Sequence, residues 1–443
     1  MAEPKAPGRG ITAAYASFNF ATTLLSLAVV SWIFYYYSPP SEIGRAVLLS
    51  GSAIAVVRVA ERSLGALLEP LIGYLSDRTE SRFGRRMPWI LLGTPVLVTA
   101  FLALWFPRLG LPTDDPRVIL QFAVTLILFW TAYTAVVSPY LALLPELGAT
   151  GEGRVRLATA LAVSEVLGNI SLSVGGGQLL GATALFALLW VDNGYQLAAV
   201  VFAVIAVLFS LFFVAVVREP PREAKHAVRF SLRQATVESL RNPEFLPYAG
   251  AVGGYRMATA TAVAGIPYLG TELMGLDEEH AALLLAVIIV FALIAIPFVE
   301  RLANRRGKAA VFRLGGIGFL ITLPMMGLIG LIPGVPPLVL GVLLFVLSGF
   351  PVATMLVLPR ALLADVIDVD EARTGYRREA MYNGMSGVVE KAGEAASAVS
   401  IGVLFDTLGN GGTRVLGLRL VGVAAAIGVL LGLWLFRRYT LAR

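Results

Sequence analysis

The sequence predicts an all-α integral membrane protein that crosses the bilayer twelve times. Composition and the length of the apolar runs are the main evidence. The 443 residues are 57% hydrophobic and only 14% charged, whereas soluble domains contain about 25% charged residues. Apolar runs of about 20 residues, long enough to cross a hydrocarbon core of about 30 Å, recur from one end of the chain to the other.

Hydropathy defines the twelve predicted spans in order. The first follows the polar, basic N-terminus MAEPKAPGRG without a small-residue cleavage site, which favours a retained helix over a signal peptide. The predicted spans are 11–37, 43–76, 87–107, 117–146, 156–184, 194–217, 246–271, 280–300, 310–332, 336–366, 379–405 and 415–437.

Basic residues predict the orientation of the spans. One side carries most of the Lys and Arg, including the cluster at 77–86 and the tail. The opposite side has only Arg45, Arg108, Arg117 and Arg414. Because cytoplasmic loops are enriched in Lys and Arg, both termini are predicted to be cytoplasmic and the protein to lie in the plasma (inner) membrane. The net charge of +6 is explained by these loops, and no nucleic-acid partner is predicted.

A long polar segment divides the spans into two sets of six. The predicted domains are an N-terminal bundle at 1–217, a cytoplasmic linker at 218–245 and a C-terminal bundle at 246–443. The halves also resemble each other: GYLSDRTESRFGRRMPWILLG follows the second span, and ERLANRRGKAAVFRLGG follows the eighth. Such repeats are typical of secondary transporters, whose midplane site opens alternately to each side.

The second span carries charges inside an apolar sequence. At about 100° per residue, Arg58, Arg62, Gly65 and Glu69 share one stripe with Glu61 at its edge. An ionisable group at mid-membrane costs about 2.5–3.5 kcal/mol, so this stripe is expected to face the interior. Arg58, Glu61 and Arg62 are expected to form an internal ion-pair network, in which Glu61 pairs with Arg58 or with Arg62. Glu69 has no basic residue three or four positions away, which favours a coupling site for a proton or cation over a structural role.

Other spans also carry interior polar residues. Lys391 is either a counter-ion for Glu69 or is neutralised by Glu390 or Glu394. Tyr15 and Asn19 either bind a polar ligand or pack helices together. Predicted substrate-cavity residues of these spans are Tyr15, Asn19, Arg62, Glu165, Asn169 and Arg256.

Several kinds of chemistry lack the residues they need. The chain has no cysteine, and His226 and His280 offer no metal-ligand spacing. The GKA at 307–309 lacks the remainder of a P-loop, and no Ser/His/Asp or HExxH pattern occurs. The sequence therefore predicts no enzyme, no cofactor and no bound metal.

Charged residues crowd the predicted cytoplasmic ends of the second and tenth spans. Pairing between these charges and neighbouring helix ends would close a cytoplasmic gate. The predicted gate residues are Asp77, Arg78, Arg82, Gly84, Arg85, Arg86, Asp365, Asp368, Arg377 and Arg378.

Three segments carry a resemblance to a known family. EPLIGYLSDRTESRFGRRMPWILLG at 69–93, TAYTAVVSPYLALLPEL at 131–147 and ADVIDVDEARTGYRREAMY at 364–382 resemble the glycoside–pentoside–hexuronide:cation symporters, a branch of the major facilitator superfamily. The resemblance covers nearly the whole chain and implies two six-helix bundles around a central cavity.

The resemblance also implies a coupling site. Members similar to melibiose permease couple sugar uptake to sodium, lithium or protons through two acidic residues on the second helix. This chain keeps one of those acids, Glu69, and has Gly65 at the other position. Thr134 corresponds to a cation-ligating hydroxyl on the fourth helix of the family, and Lys391 to a lysine on its eleventh helix. The implied coupling ion is H⁺ or Na⁺, and a lone carboxyl suits a proton better.

The sugar-binding positions of the family are less well matched. Asn19, Val137 and Ala162 stand where the family has two aspartates and an arginine, so Glu165, Asn169, Tyr382 and Asn383 are expected substitutes in the cavity. The sequence predicts cation-coupled symport of a small polar solute, a sugar or glycoside, by a protein that works as a monomer. One alternative is a lysolipid or other amphiphile symporter on the same fold. Another is a membrane receptor or scaffold that transports nothing.

Overall fold

Twelve long helices make up nearly all of the regular structure in the residues that the structure describes. The computed structural model describes residues 8–40, 44–148, 150–182, 191–219, 241–375 and 379–441. Within those ranges, β-structure is limited to one isolated bridge between Gly411 and Arg414. The helices are α1 Arg9–Tyr37, α2 Gly51–Arg78, α3 Met87–Trp105, α4 Pro116–Ala142, α5 Gly151–Ile170, α6 Gly194–Val216, α7 Phe245–Tyr268, α8 Glu278–Arg306, α9 Lys308–Met326, α10 Pro337–Thr374, α11 Glu379–Leu408 and α12 Leu416–Phe436.

Each predicted span coincides with one of these helices. The ends differ most at the start of α2, which begins at Gly51 although the predicted span starts at 43, and where polar sequence continues a helix. Helix α10 continues to Thr374 through the polar sequence DVDEART, and α8 continues to Arg306 through NRR. Polar residues end an apolar run without ending a helix, since the backbone bonds depend little on the side chain.

Two helices continue into π-helical segments. Helix α5 passes into Ser171–Gly176 and then a final α-helical turn, Gly177–Gly181, and α7 passes into Leu269–Leu273. The predicted end of the fifth span, at 184, lies outside the described residues, as do 220–240 of the predicted linker.

The length and composition of the helices show a multi-pass membrane protein. Nine helices in the described part of the chain are long and apolar enough to cross a bilayer. The other three, α2, α7 and α11, are of similar length but more polar. Helices α2 and α11 carry several charged residues, and α7 is rich in Gly, Ala, Thr and Tyr.

The chain packs as two compact units. The first contains the described parts of Met1–Tyr36 and Ser63–Lys225, and the second those of Tyr37–Arg62 and His226–Arg443. The dividing point falls inside α2, between Arg62 and Ser63. The first part of α2 therefore packs with the C-terminal half of the chain. The predicted domain limits, 1–217 and 246–443, stay a prediction.

Aromatic side chains from α1, α3 and α6 form one part of the core of the first unit. Trp105 stacks on Tyr195 with ring centroids 6.1 Å apart, and Trp32 meets both rings edge-on. Tyr36 Oη donates a 2.8 Å hydrogen bond to the Trp105 carbonyl oxygen. These buried rings join α1, α3 and α6.

A second aromatic group forms part of the core of the second unit. Tyr255 stacks on Phe312 with centroids 4.4 Å apart and meets Phe319 edge-on. Phe436 packs against Phe312 from α12. The group ties α7, α9 and α12 together.

Candidate functional site

The charged residues of α2 occupy two different environments. Arg58, Glu61 and Arg62 are buried, with exposures of 7%, 3% and 7%, and belong to the second unit. Glu69, two turns further on, is exposed and belongs to the first unit. The stripe that the sequence predicts is therefore buried only in its first part.

The buried charges of α2 join those of α7 and α11 in an ion-pair network, formed by Glu61, Arg62, Arg256, Glu390 and Glu394. Arg62 Nε lies 3.0 Å from Glu394 Oε2 and 3.4 Å from Glu61 Oε2. Neither contact is aligned as a hydrogen bond from Nε, so both are charge pairing. The predicted pair of Glu61 with Arg62 is present.

Glu394 is shared between two arginines. Besides Arg62, its other oxygen lies 4.0 Å from Arg256 Nε. Arg256 Nε donates a 2.8 Å hydrogen bond to Glu390 Oε2, and Nη2 lies 2.8 Å from the same oxygen. The network thus links three helices of the second unit through alternating charges.

Hydroxyl groups extend the network toward the start of α7. Ser386 Oγ lies 3.5 Å from Glu390 Oε1, and Tyr248 Oη lies 3.1 Å from Ser386 Oγ. Ser386 and Tyr248 are both buried. Burying a charge in such a low-dielectric setting is costly unless the charge is paired.

Of the two arginines predicted as partners of Glu61, Arg62 makes the contact and Arg58 does not. Its Nη1 is buried and has no hydrogen-bond partner among the described residues. Glu61 and Glu394, which interact electrostatically with Arg58, both pair with Arg62. The predicted network therefore contains Glu61 and Arg62 but leaves Arg58 beside it.

The predicted coupling residues are spread over the two units. Glu69 is exposed on α2, nine residues before the helix ends, or about 14 Å. Thr134 is half-buried on α4 of the first unit, and Lys391 is half-buried on α11 of the second. Their joint role in coupling stays a prediction.

The predicted ligand residues of α1 contact other helices. Tyr15 is fully buried and stacks on Tyr140, and each Oη donates to the other residue's carbonyl oxygen, at 3.2 and 2.7 Å. Asn19 Nδ2 donates to Ser164 Oγ at 2.9 Å and to the Leu161 carbonyl oxygen at 3.3 Å. These bonds favour the helix-packing alternative for both residues.

The remaining cavity candidates differ in exposure. Glu165 and Asn383 are exposed, while Asn169 is half-buried and donates from Nδ2 to the Glu165 carbonyl oxygen at 2.9 Å. Tyr382 is fully buried and accepts a 3.0 Å bond from Asn242 Nδ2. Glu165 and Asn383 thus present polar surface in this conformation, whereas Tyr382 is enclosed by its own unit.

The first-unit part of the predicted gate is an ion-pair cluster. Arg85 pairs with Glu146 after α4 and lies 3.4 Å from Glu219, and Arg86 lies 3.0 Å from Glu146. The Glu219 carboxylate accepts from the Arg86 backbone N–H at 2.8 Å, at the start of α3. Gly84, with φ of +100°, leaves the space that this carboxylate fills.

Two further predicted gate residues lie at the end of α2 and in the loop beyond it. Arg78, the last residue of α2, and Arg82 are exposed, and the Arg82 guanidinium lies 4.8 Å from the Phe83 ring centroid. The side chain of Asp77 lies outside the described part of the structure.

The second-unit part of the predicted gate contains a matching pair. Lys308, at the start of α9, forms an ion pair with Asp365 on α10. Asp368 is exposed, and Arg377 and Arg378 lie outside the described residues. A basic residue beginning the third helix of each half thus pairs with an acid near the end of the fourth.

Three acidic residues of these contacts were missed by the sequence reasoning. Glu146 and Glu219 hold the predicted gate arginines, and Asp406 accepts 2.7 Å bonds from the backbone N–H groups of Gly51 and Ser52 at the start of α2. All three lie at or near helix ends, where acids complement unpaired N–H groups or basic loops. Their partners lie far away in the sequence, 61 residues in the case of Arg85 and Glu146, and give no local signal.

Comparison with known proteins decides the family. The family model described as "MFS/sugar transport protein" matches residues 14–443. The chain belongs to this family. Its fold agrees with the solved structure of a mutant form of the nucleoside transporter NupG, at a TM-score of 0.71 and 12% identity, covering 97% of this chain and 100% of that one. It also agrees with a D-xylose–proton symporter, at 0.67 and 13%, covering 98% of each chain.

Related sequences are named as symporters and permeases. A symporter of Synechocystis sp. is 23% identical over 89% of this chain and 85% of its own length. The lactose permease of Lactobacillus delbrueckii subsp. bulgaricus is 24% identical over 82% of this chain, and the mouse sodium-dependent lysophosphatidylcholine symporter 1 is 26% identical over 71%. The chain spans 57% and 62% of those two proteins.

These similarities confirm the predicted fold class and the general function. The protein is a multi-pass transporter of the major facilitator type, and its family and structural neighbours are transporters rather than enzymes. The closer resemblance to melibiose-permease-like symporters stays a prediction.

Proposed function

We propose that this protein is a cation-coupled symporter of a small polar solute, a sugar or glycoside, and that it works by alternating access. The observation that carries the proposal is Glu69, a carboxylate exposed within a membrane-crossing helix. The similarity to symporters and to a lactose permease supports the same function.

The exposure of Glu69 matters because of where the residue lies. An ionisable side chain within a membrane span is stable only beside water or a polar partner. An exposed carboxylate about 14 Å from the end of α2 is therefore suited to exchange a proton or sodium ion with an aqueous path. Glu61 is buried, so it is less accessible for that exchange.

The coupling ion is proposed to be a proton, with sodium as the alternative. Sodium prefers several oxygen ligands, and α2 offers Glu69 where the resembling family has two acids, with Gly65 at the second position. Thr134 supplies one further oxygen. The sodium-dependent relatives make the sodium experiment necessary.

A lysolipid is the second candidate substrate. Relatives named as lysophosphatidylcholine symporters include the mouse protein and one from Gallus gallus, which is 24% identical over 87% of this chain. In addition, Asn19 is bonded to Ser164 and Tyr15 to Tyr140, so two candidate sugar-binding side chains are engaged in helix packing.

The remaining predictions belong to the same proposal. We propose that both termini lie in the cytoplasm, that the protein resides in the plasma (inner) membrane, and that one chain is sufficient for transport. The Arg85–Glu146 and Lys308–Asp365 pairs are proposed to stabilise helix ends at the cytoplasmic gate.

The test is charge movement in proteoliposomes exposed to glycosides and lysolipids under a proton or a sodium gradient. We expect a glycoside-evoked current that follows the proton gradient and is lost in Glu69→Gln. Glu80→Gln is the matched control, because Glu80 is exposed in the loop beyond α2, and it should retain the current. A response only to lysolipids would select the second candidate. Equal currents from native protein and Glu69→Gln would refute the coupling role.

A further inference from the structure

Three arginines lie near the start of α9 and the end of α12, away from the candidate site. Arg313 is about 7.5 Å along α9 from Lys308, the first residue of that helix, and Arg437 and Arg438 follow the last residue of α12. The Arg313 guanidinium lies 6.0 Å from the ring centroid of Phe436, which ends α12. The two helices therefore bring three positive charges to one edge of the second unit.

The acidic residues close to this edge already have partners. Asp365 and Glu244 both interact electrostatically with Tyr439, the residue after the two arginines of α12. Asp365 forms an ion pair with Lys308. Glu244 is buried and accepts hydrogen bonds from the backbone N–H and the hydroxyl group of Thr440. Neither carboxylate is therefore available to neutralise the three arginines.

The arginines themselves make few polar contacts. Arg313 Nε donates a 3.3 Å hydrogen bond to the Ala309 carbonyl oxygen, and its Nη groups make none within the described ranges. Arg437 and Arg438 are exposed, and their side chains form no ion pair or hydrogen bond with any residue that the structure describes. Most of the N–H groups of these guanidinium groups are thus available to a ligand.

Aromatic and aliphatic side chains lie next to the arginines on the outer surface. The Arg438 guanidinium lies 5.6 Å from the ring centroid of Trp434, whose ring is largely exposed. Further along the same two helices, Leu430 and Ile317 are exposed. Tryptophan is enriched where a membrane protein meets the lipid head groups, and exposed aliphatic residues beyond it contact acyl chains. This surface suits a molecule with a charged head group and apolar chains better than a soluble anion.

The charge of the surface also selects among phospholipids. Phosphate oxygens accept short, charge-assisted hydrogen bonds from guanidinium groups. A zwitterionic head group adds an ammonium group, which the arginines would repel and which Asp365 and Glu244 are too engaged to bind. A head group with net negative charge meets no such repulsion. Basic pockets between membrane-spanning helices are known to bind anionic lipids in this way.

We propose that the start of α9 and the end of α12 form a binding site for an anionic phospholipid. The lipid phosphate contacts Arg313, Arg437 and Arg438, and the acyl chains lie along the exposed apolar surface of the two helices. The lipid is a bound component of the membrane boundary and not the transported solute. The inference therefore goes beyond the proposed function and does not depend on it.

Lipid titration of the full chain in detergent, followed by native mass spectrometry, tests the site. The probes are dioleoyl phosphatidylglycerol and dioleoyl phosphatidylcholine, which share their acyl chains and differ in net charge. We expect the first phosphatidylglycerol to bind at least tenfold more tightly than the first phosphatidylcholine. Equal affinities would overturn the proposal. Glycerophosphoglycerol, the same head group without chains, should not displace the bound lipid, and displacement at equal concentration would assign the site to a soluble anion instead.

Two double variants with the same change of charge test the residues. Arg313→Gln with Arg438→Gln should weaken phosphatidylglycerol binding about tenfold and leave phosphatidylcholine binding unchanged. Arg305→Gln with Arg306→Gln is the control, because these exposed arginines end α8 just before α9 begins, and it should retain the affinity. If the first double variant does not fold, Arg438→Gln alone, in an exposed residue, should still weaken the binding several-fold.

The control separates a defined site from general attraction to a basic surface. Equal losses in the two double variants would show that any exposed arginine near the membrane surface contributes, and would overturn the site. Unchanged binding of phosphatidylglycerol after removal of Arg313 and Arg438 would overturn it as well. A loss confined to that variant would support the lipid site between α9 and α12.

Discussion

At the scale of single residues, the two glutamates of α2 show how packing separates similar side chains. Glu61 and Glu69 lie on one helix, but Glu61 is 3% exposed beside Arg62, whereas Glu69 is exposed. A buried carboxylate is shielded from water, whereas an exposed one can be reached by an ion. The carboxylate of Glu61 therefore stabilises the helix packing, whereas that of Glu69 is proposed to couple transport to an ion.

Removing Glu394 should destabilise the protein more than breaking an exposed pair. Glu394→Gln leaves Arg62 with Glu61 alone, and loss of one partner from a buried ion pair costs about 3 kcal/mol. Arg117→Gln should cost less than about 1 kcal/mol, because Arg117 is mostly exposed and 3.9 Å from Asp115. Thermal unfolding in detergent measures both. Equal unfolding midpoints for Glu394→Gln and Arg117→Gln would show that the ion-pair network adds little stability.

At the scale of helices, α2 is bound to α11 by backbone and side-chain contacts at one end. Asp406 accepts bonds from two N–H groups at the start of α2, which complements the positive helix terminus. A Cβ on Gly51 would lie 2.9 Å from the Gly402 Cα, so the backbones cross almost in contact. These contacts explain why the first part of α2 packs with the second unit.

Loss of the Asp406 carboxylate should weaken this junction. Asp406→Ala removes the acceptors for two N–H groups and should cost about 1 kcal/mol, a typical value for an N-terminal cap. Thr407→Ala is the adjacent control, since Thr407 is exposed and its hydroxyl bonds only to the Val403 carbonyl oxygen. The midpoint temperature of thermal unfolding should be lower for Asp406→Ala than for the native protein and for the control. A midpoint equal to that of the control would mean that water replaces the cap at no cost.

At the scale of the whole molecule, the sequence repeat recurs as a repeat of contacts. Arg85 and Arg86, just before α3, pair with Glu146 after α4. Lys308, at the start of α9, pairs with Asp365 on α10. Each unit thus holds its third and fourth helices together by the same arrangement of charge.

Exchanging the charges of the Lys308–Asp365 pair should preserve transport better than removing either charge. Lys308→Gln and Asp365→Asn should each reduce solute uptake several-fold, because one charge then lacks its partner. The double exchange Lys308→Asp with Asp365→Lys should recover much of the loss, since contacting residues couple by about 0.5–3 kcal/mol. Arg82→Gln, in an exposed residue, should have little effect. A double exchange that transports no better than the single variants would argue against the pair.

The sequence by itself determined the membrane class, the number of helices and their approximate limits. This was possible because bilayer thickness and backbone hydrogen bonding constrain each span separately. It also located the charged residues of α2 and α11. Helix limits differed where polar residues extended α8 and α10 beyond the apolar core, and at α2, which begins at Gly51 rather than at 43.

Only the tertiary structure decided which charges meet. It paired Glu394 with Arg62, left Arg58 outside the network, and placed the start of α2 in the second unit. It also showed Tyr15 and Asn19 engaged with other helices. The physical reason is that an ion pair depends on the distance between side chains from remote segments, which a local pattern of charge and hydropathy does not specify.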